Sequence, residues 1–152
     1  MNNEMNAPAL TLSTDLSTMD WPRITAWLAG SYWSPGISQH YVEQAARAST
    51  VVIGAFVDGQ QVGYARVISD TVRFAYLADV YVDEAYRGGG ISKKIISELL
   101  SSPILAGVSR CFLLTGNAHG LYEQFGFQVF PAPERMMVRE NPSGIDFTQT
   151  PI

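Results

Sequence analysis

Asp79-Val80-Tyr81-Val82-Asp83-Glu84-Ala85-Tyr86-Arg87-Gly88-Gly89-Gly90-Ile91-Ser92 is the stretch on which the reading of this chain turns. An apolar strand runs into three consecutive glycines, and a helix is predicted to begin directly after them. Lacking a Cβ, glycine lets the backbone turn tightly and bring its N–H groups close to a ligand. The first N–H groups of the following helix have no intrahelical partner, and the helix dipole adds about half a positive charge there. Such a corner suits phosphate oxygens. Two common phosphate motifs do not fit. The positions three after Gly88 and Gly90 hold Ile91 and Lys93, which excludes the dinucleotide fingerprint, and the spacing of the nucleoside-triphosphate loop is absent.

Working outward, Phe74 to Val82 is the predicted strand that feeds the glycines. Upstream, Val51 to Val57 and Val62 to Ile68 read as strands joined by Asp58-Gly59, a strong hairpin signal. Asp70-Thr71 marks the next turn, and Leu10–Ser13 alternates as a first strand. Asp20, or Thr18 before it, caps a helix with Pro22 in its first turn, running through Ile24, Trp27 and Leu28 to Gly30. After the turn from Tyr32 to Gly36, Ser38 caps a second helix carrying Val42, Ala45 and Ala46. Downstream, Ile91, Ile95 and Leu99 keep helical spacing until Pro103 stops the helix. Arg110 to Thr115 is a further strand, and a short helix over 118–125 ends at Gly126. Phe127 to Phe130 and Met136 to Val138 are the last predicted strands.

The strands joined by short turns should pair antiparallel, and the two joined across the glycine-loop helix should run parallel. The expected fold class is therefore α/β in the α+β sense: a mixed, mostly antiparallel sheet flanked by helices. Ligands in such sheets sit beyond the carboxyl ends of parallel strands, where the glycine loop falls.

A chain of 152 residues with 47% hydrophobic content suits one domain, expected over residues 9–142 with tails at 1–8 and 143–152. The net charge of −4 and the lack of a dense basic cluster argue against nucleic acid as a partner. No apolar run reaches the roughly 20 residues of a membrane span, and the N-terminus lacks a signal-peptide pattern. Cys111 has no second cysteine to pair with. Together these features point to a cytoplasmic protein with no membrane partner. The two histidines and one cysteine show no metal-ligand spacing, so no metal is expected. Exposed terminal strands are compatible with a homodimer.

Read as Arg/Gln-x-x-Gly-x-Gly/Ala, Arg87, Gly90 and Ser92 resemble the pyrophosphate motif of the GNAT superfamily of N-acetyltransferases, with Ser92 at the final small position. A second run, Asn117-Ala118-His119-Gly120-Leu121-Tyr122-Glu123-Gln124-Phe125-Gly126-Phe127, is similar to the downstream motif of that family at Asn117, Gly120, Leu121, Tyr122, Gly126 and Phe127. Gly120 replaces the more usual alanine. The resemblance implies a GNAT-like acyl-CoA N-acyltransferase fold and acetyl-CoA as cosubstrate. It implies that Arg87 and the N–H groups of Gly88, Gly89, Gly90, Ile91 and Ser92 hold the pyrophosphate. The backbone of Val80, Tyr81 and Val82 would pair with the pantetheine, and an N–H there would polarise the thioester carbonyl. Asn117 would contact the cofactor, and Tyr122 would protonate the leaving thiolate.

The expected activity is transfer of acetyl to a primary amine, on a small molecule or a peptide, by direct attack in a ternary complex. A catalytically silent acyl-CoA-binding module, O-acetylation and longer acyl groups stay open. Asp79 is a carboxylate inside an apolar strand, where alternation puts it on one face with Leu77 and Tyr81. Either it is a general base, acting through water, or it pairs with backbone groups or Arg66. Trp33, Arg66 and Tyr76 are the candidate acceptor-binding residues; Arg66 would hold a substrate carboxylate or pair with Asp79. His119 is a weaker candidate than Tyr122, and a solvated helix-start histidine is its alternative.

Overall fold

A computed structural model describes residues 9–151. The expected tail at 1–8 lies outside them. Five strands form one sheet in the order β1-β2-β3-β4-β5. These are β1 (Leu10–Ser13), β2 (Val51–Val57), β3 (Gln60–Ser69), β4 (Phe74–Val82) and β5 (Arg110–Phe112). The first four pair antiparallel, and β5 pairs parallel to β4. The mixed sheet expected from the connections is the one observed.

Local chemistry explains the elements. In the β2–β3 turn Asp58 and Gly59 both have positive φ, 51° and 78°, the combination that the tightest hairpin turn demands. Helix α1 (Trp21–Ala29) is capped by the Asp20 carboxylate, which accepts from the Arg23 N–H, and Pro22 occupies its first turn. Ser38 precedes α2 (Gln39–Arg47) as its N-cap residue without a side-chain cap bond. Helix α3 (Ile91–Leu100) buries Ile91, Ile95, Ile96 and Leu99, the stripe its spacing predicts. In the β3–β4 turn the Asp70 carboxylate accepts the N–H groups of Val72, Arg73 and Phe74. Those bonds hold its pKa below the ordinary value. That contribution to stability is present at neutral pH and is lost as pH falls through the lowered pKa.

Helices cover both sheet faces. Tyr64 and Val52 belong to the core cluster that includes Ile24, Trp27 and Leu28 of α1 and Val42 and Ala46 of α2. The neighbouring Gly63 faces the other way: a Cβ there would stand 2.8 Å from Ile95 Cδ1 of α3. Adjacent strand residues point to opposite faces, so α1 and α2 share one face and α3 takes the other. Buried Gln61 ties α1 to the sheet. Its Oε1 accepts the Asp20 N–H at 2.8 Å, and its Nε2 donates to the Gly63 carbonyl at 3.0 Å.

Spatial proximity divides the chain into two compact units. One runs up to Leu113 and resumes at Phe147; the other is Leu114–Asp146. The returning segment belongs to the sheet unit, where the Phe147 carbonyl accepts the Ser38 N–H at 2.8 Å. In the second unit α4 (His119–Glu123) is shorter than expected, because after Tyr122 the N–H groups of Phe125 and Gly126 bond three residues back. The strand expected to reach Thr115 stops at Phe112.

The strands expected at Phe127–Phe130 and Met136–Val138 are not formed. Met137 and Val138 are 95% and 83% exposed, so no buried face repays the ordering of the second.

Gln61→Leu keeps the volume and removes the buried acceptor of the Asp20 N–H. It should destabilise the protein by about 1–3 kcal/mol. Urea denaturation should show a lower midpoint at unchanged slope, and an unmoved midpoint would disprove the role assigned to Gln61.

Candidate active site

The centre of the site is an irregularity in β4. Opposite β3, Tyr64 pairs with Tyr81 but Arg66 pairs with Ala78, so Asp79 and Val80 together face Ala65 alone. This is a β-bulge. Asp79 sits at φ 57°, a left-handed conformation that aspartate tolerates better than most residues. The extra residue switches the alternation. Leu77 faces Val67 and Tyr81 faces Tyr64; Val67 and Tyr64 are three apart on β3, hence on opposite faces. The expectation that Leu77, Asp79 and Tyr81 share one face is thus corrected, because the bulge separates Leu77 from Tyr81.

Asp79 turns toward Arg66. Arg66 Nε donates to Asp79 Oδ2 at 2.7 Å, with side-chain exposures of 17% and 12%. Trp33, reaching over from the α1–α2 loop, donates its indole N–H to Asp79 Oδ1 at 2.9 Å. Arg66 Nη1 also donates to Ser49 Oγ at 3.3 Å. The structure therefore brings Trp33, Arg66 and Asp79 into direct contact, and of the two sequence readings of Asp79 it displays the pairing with Arg66. Tyr76 lies opposite Ile68, on the same sheet face as Arg66. Burial first, and then the Asp79 charge, push its phenol up. Tyr64, deeper on that face, is pushed up for the same reasons, and its hydroxyl has no hydrogen-bond partner among the described residues.

β4 loses its second neighbour just before the bulge. Its parallel pairing with β5 covers Phe74, Ala75 and Tyr76 and then stops. From Leu77 to Val82 no strand among the described residues pairs with the outer edge of β4. Val80, Tyr81 and Val82 thus stand on an edge that no strand occupies among the described residues, although the Val82 carbonyl is taken by Arg87 Nε, and an extended ligand can join such an edge as a strand would.

Asp83 anchors the exit from β4. Its Oδ2 accepts from Arg23 Nη2 at 3.0 Å and from the Trp27 indole at 3.2 Å, and its Oδ1 accepts the Ala85 N–H. Trp27 stacks on Tyr81 with ring centres 5.4 Å apart. Arg87 folds back along the same strand end. Its Nε donates to the Val82 carbonyl at 2.9 Å, and its guanidinium carbon lies 5.2 Å from the Tyr81 ring centre. Half-exposed, it contacts Glu84 only at 3.9 Å, so its Nη groups remain available to an anion.

In the glycine loop φ is 88° at Gly88 and 82° at Gly90, but not positive at Gly89. Alternating handedness of this kind makes successive N–H groups converge into an anion-binding concavity. The first helical bond of α3 runs from the Lys94 N–H to the Gly90 carbonyl. None of the N–H groups from Gly88 to Lys93, which include those of Gly89, Ile91 and Ser92, donates to a protein acceptor among the described residues. Every helix start leaves such donors; what sets this corner apart is that the alternating glycine dihedrals bring the loop N–H groups beside them, an arrangement that can accommodate the diphosphate the sequence predicts there.

The second unit holds Asn117 and Tyr122. Asn117 is exposed just before α4. Tyr122 is buried, edge-on to Phe127 at 5.9 Å, and its carbonyl accepts the N–H groups of Phe125 and Phe127. Gly126, with φ 87°, makes the turn between them. His119 is exposed at the start of α4.

Sequence reasoning missed the bulge, the early end of β5 at Phe112, and the parts played by Ser49 and Asp83. A lone aspartate within Leu77-Ala78-Asp79-Val80 was the available signal for the first. No group of three or more His, Cys, Asp or Glu side chains able to hold a metal occurs among the described residues. Among the described residues no helix is long and apolar enough to cross a membrane.

The family model described as acetyltransferase (GNAT) family matches residues 14–127. A structure from Xanthomonas campestris pv. campestris, described as belonging to the GNAT family, is 40% identical, with 89% of this chain and 95% of that one covered at a TM-score of 0.84. A GNAT family N-acetyltransferase from Escherichia coli in complex with CoA is 28% identical, with 80% and 70% covered at a TM-score of 0.64. A GNAT family acetyltransferase from Brucella melitensis in complex with acetyl-CoA is similar in fold, at 24% identity, 81% and 85% coverage and a TM-score of 0.63. A search of curated proteins finds no match. With three quarters of its length matched by the family model, and a relative of 40% identity along nearly all of it, the chain belongs to the GNAT family of acetyltransferases.

Proposed function

We propose that this protein transfers the acetyl group of acetyl-CoA to a primary amine by direct attack within a ternary complex. The observation that carries the reading is the run of unsatisfied N–H groups from Gly88 to Lys93 at the entrance to α3. These groups and the Nη groups of Arg87 would hold the diphosphate. The unpaired edge of β4 at Val80, Tyr81 and Val82 would accept the pantetheine amides, with a bulge N–H polarising the carbonyl to be attacked. Two relatives captured with CoA and acetyl-CoA support the choice of ligand.

Acetyl-CoA supplies the activated thioester. The amine nitrogen forms a bond to its carbonyl carbon, the carbon–sulfur bond breaks, and the thiolate takes a proton. On the resemblance of the Asn117–Phe127 motif, Asn117 contacts the cofactor and Tyr122 donates that proton, since a phenol with an ordinary pKa of about 10 is protonated at neutral pH. Asp79 meets the acceptor ammonium, which passes one proton to a water beside the carboxylate, and on to solvent, before the neutral amine attacks; the second proton leaves nitrogen as the carbon–sulfur bond breaks and, through water, restores the Tyr122 phenol. The carboxylate stays paired with Arg66 throughout.

Calorimetric titration with CoA tests the binding half. Arg87→Glu should weaken CoA affinity by about 10- to 100-fold, the worth of one or two charge-assisted contacts; unchanged affinity would remove Arg87 from the diphosphate site. A Gly90→Ala and Gly89→Ala pair tests the backbone. Only Gly90 has positive φ, while a Cβ on Gly89 would come no nearer than 3.9 Å to another atom, the Tyr86 carbonyl oxygen. Gly90→Ala should therefore lose CoA binding and about 1 kcal/mol of stability, and Gly89→Ala should keep its stability. Tyr122→Phe should lower kcat by about 100-fold or more at unchanged CoA affinity. Full turnover in that variant would end the general-acid assignment, and CoA binding without turnover of any amine by the wild type would leave only a binding module.

A further inference from the structure

We propose that the acceptor is a free α-amino acid, whose ammonium group replaces Trp33 on Asp79 and whose carboxylate is taken by Arg66. This rests on the acetyltransferase reading and names its substrate class. The Arg66–Asp79 pair puts a cation and an anion in contact at 2.7 Å on the sheet face beside the bulge. A ligand complementary to such a pair carries its own two charges on neighbouring atoms, as an α-amino acid does.

Each partner keeps capacity for the ligand. Arg66 has spent Nε on Asp79 and one Nη1 hydrogen on Ser49. A guanidinium offers five N–H donors, and the rest of this fork meets no protein acceptor among the described residues. Asp79 Oδ1 is held by a neutral indole N–H from a loop residue that is 41% exposed. An ammonium makes a stronger, charge-assisted bond to the same oxygen. Trp33 and Tyr32, the latter 63% exposed, and half-buried Tyr76 supply aromatic surface for an apolar or aromatic side chain.

Polycationic acceptors fit poorly. The Asp79 charge is already neutralised by Arg66, whose guanidinium would repel a second cation nearby.

The deciding experiment compares matched acceptors on the wild-type protein: phenylalanine with phenethylamine, tryptophan with tryptamine, and leucine with isoamylamine, beside spermidine and a lysine peptide. Release of CoA thiol is followed, and acetyl-CoA binding is measured by calorimetry on the same preparation. In each productive pair the amino acid should exceed its decarboxylated partner in kcat/KM by about 10- to 100-fold, the range for one charge-assisted contact. Arg66→Lys keeps the charge and loses the planar fork. It should shrink that ratio through KM while leaving acetyl-CoA affinity unchanged. Should that variant fail to fold, the wild-type ratios decide alone. Amines used as well as their parent amino acids, turnover confined to spermidine or the peptide, or no turnover of any amino acid with acetyl-CoA bound would overturn the assignment. Failure to bind acetyl-CoA would overturn the reading beneath it, and the calorimetry separates the two results.

Discussion

One inserted residue in β4 organises the functional half of this protein. Because Asp79 and Val80 together oppose Ala65, the strand bends, its alternation switches, and Asp79 is left in a left-handed conformation. Pairing with β5 has already ended at Tyr76, so the bulged stretch pairs with a strand on one side and, among the described residues, with none on the other. A regular β4 paired along its full length would satisfy its own edge and leave an extended ligand nothing to join. The bulge trades ladder hydrogen bonds for access, a defect that only a stiff surrounding sheet can carry.

The Arg66–Asp79 ion pair stands at the same place and bears on the same problem. Two charges at 17% and 12% exposure forfeit much of their hydration, so their contact is weak grounds for overall stability. Removing either partner would be another matter, costing about 3–5 kcal/mol by leaving the other uncompensated. The pair thus locks the bulge in one arrangement: Asp79 cannot swing away without stranding Arg66. Trp33 adds a contact of different character, from an exposed loop and a neutral donor. The rigid bond fixes the carboxylate, and the weaker one can be exchanged.

How much of this was legible depended on whether the signal was local. The Asp58-Gly59 turn, the Asp20 cap with Pro22 and the α3 stripe each follow from a few adjacent residues, and each formed as read. The glycine corner was legible for the same reason, since positive φ and orphan N–H groups are properties of the backbone itself. The bulge was not, because register is a property of two strands and no residue of β3 announces that one position will face two. The missing strands after Phe127 fail in the opposite sense. Their β-branched and aromatic residues carry local propensity, but Met137 and Val138 lie almost fully exposed, and propensity without a buried face makes no ladder.

Cofactor and acceptor therefore stand differently in the sequence. A diphosphate and a chain of amides would be recognised mainly by backbone, so short glycine-centred motifs point to them, and Gly88 and Gly90 would matter for their dihedrals while a Cβ at either would meet nothing within 4 Å. The proposed acceptor site is instead built from side chains gathered from distant segments: Trp33 from a loop, Arg66 from β3, Asp79 from β4, with Ser49 steadying the arginine. No spacing rule links these positions, because tertiary folding alone brings them together. On the proposed reading, that separation would let the acceptor face change, residue by residue, without disturbing the corner assigned to the donor.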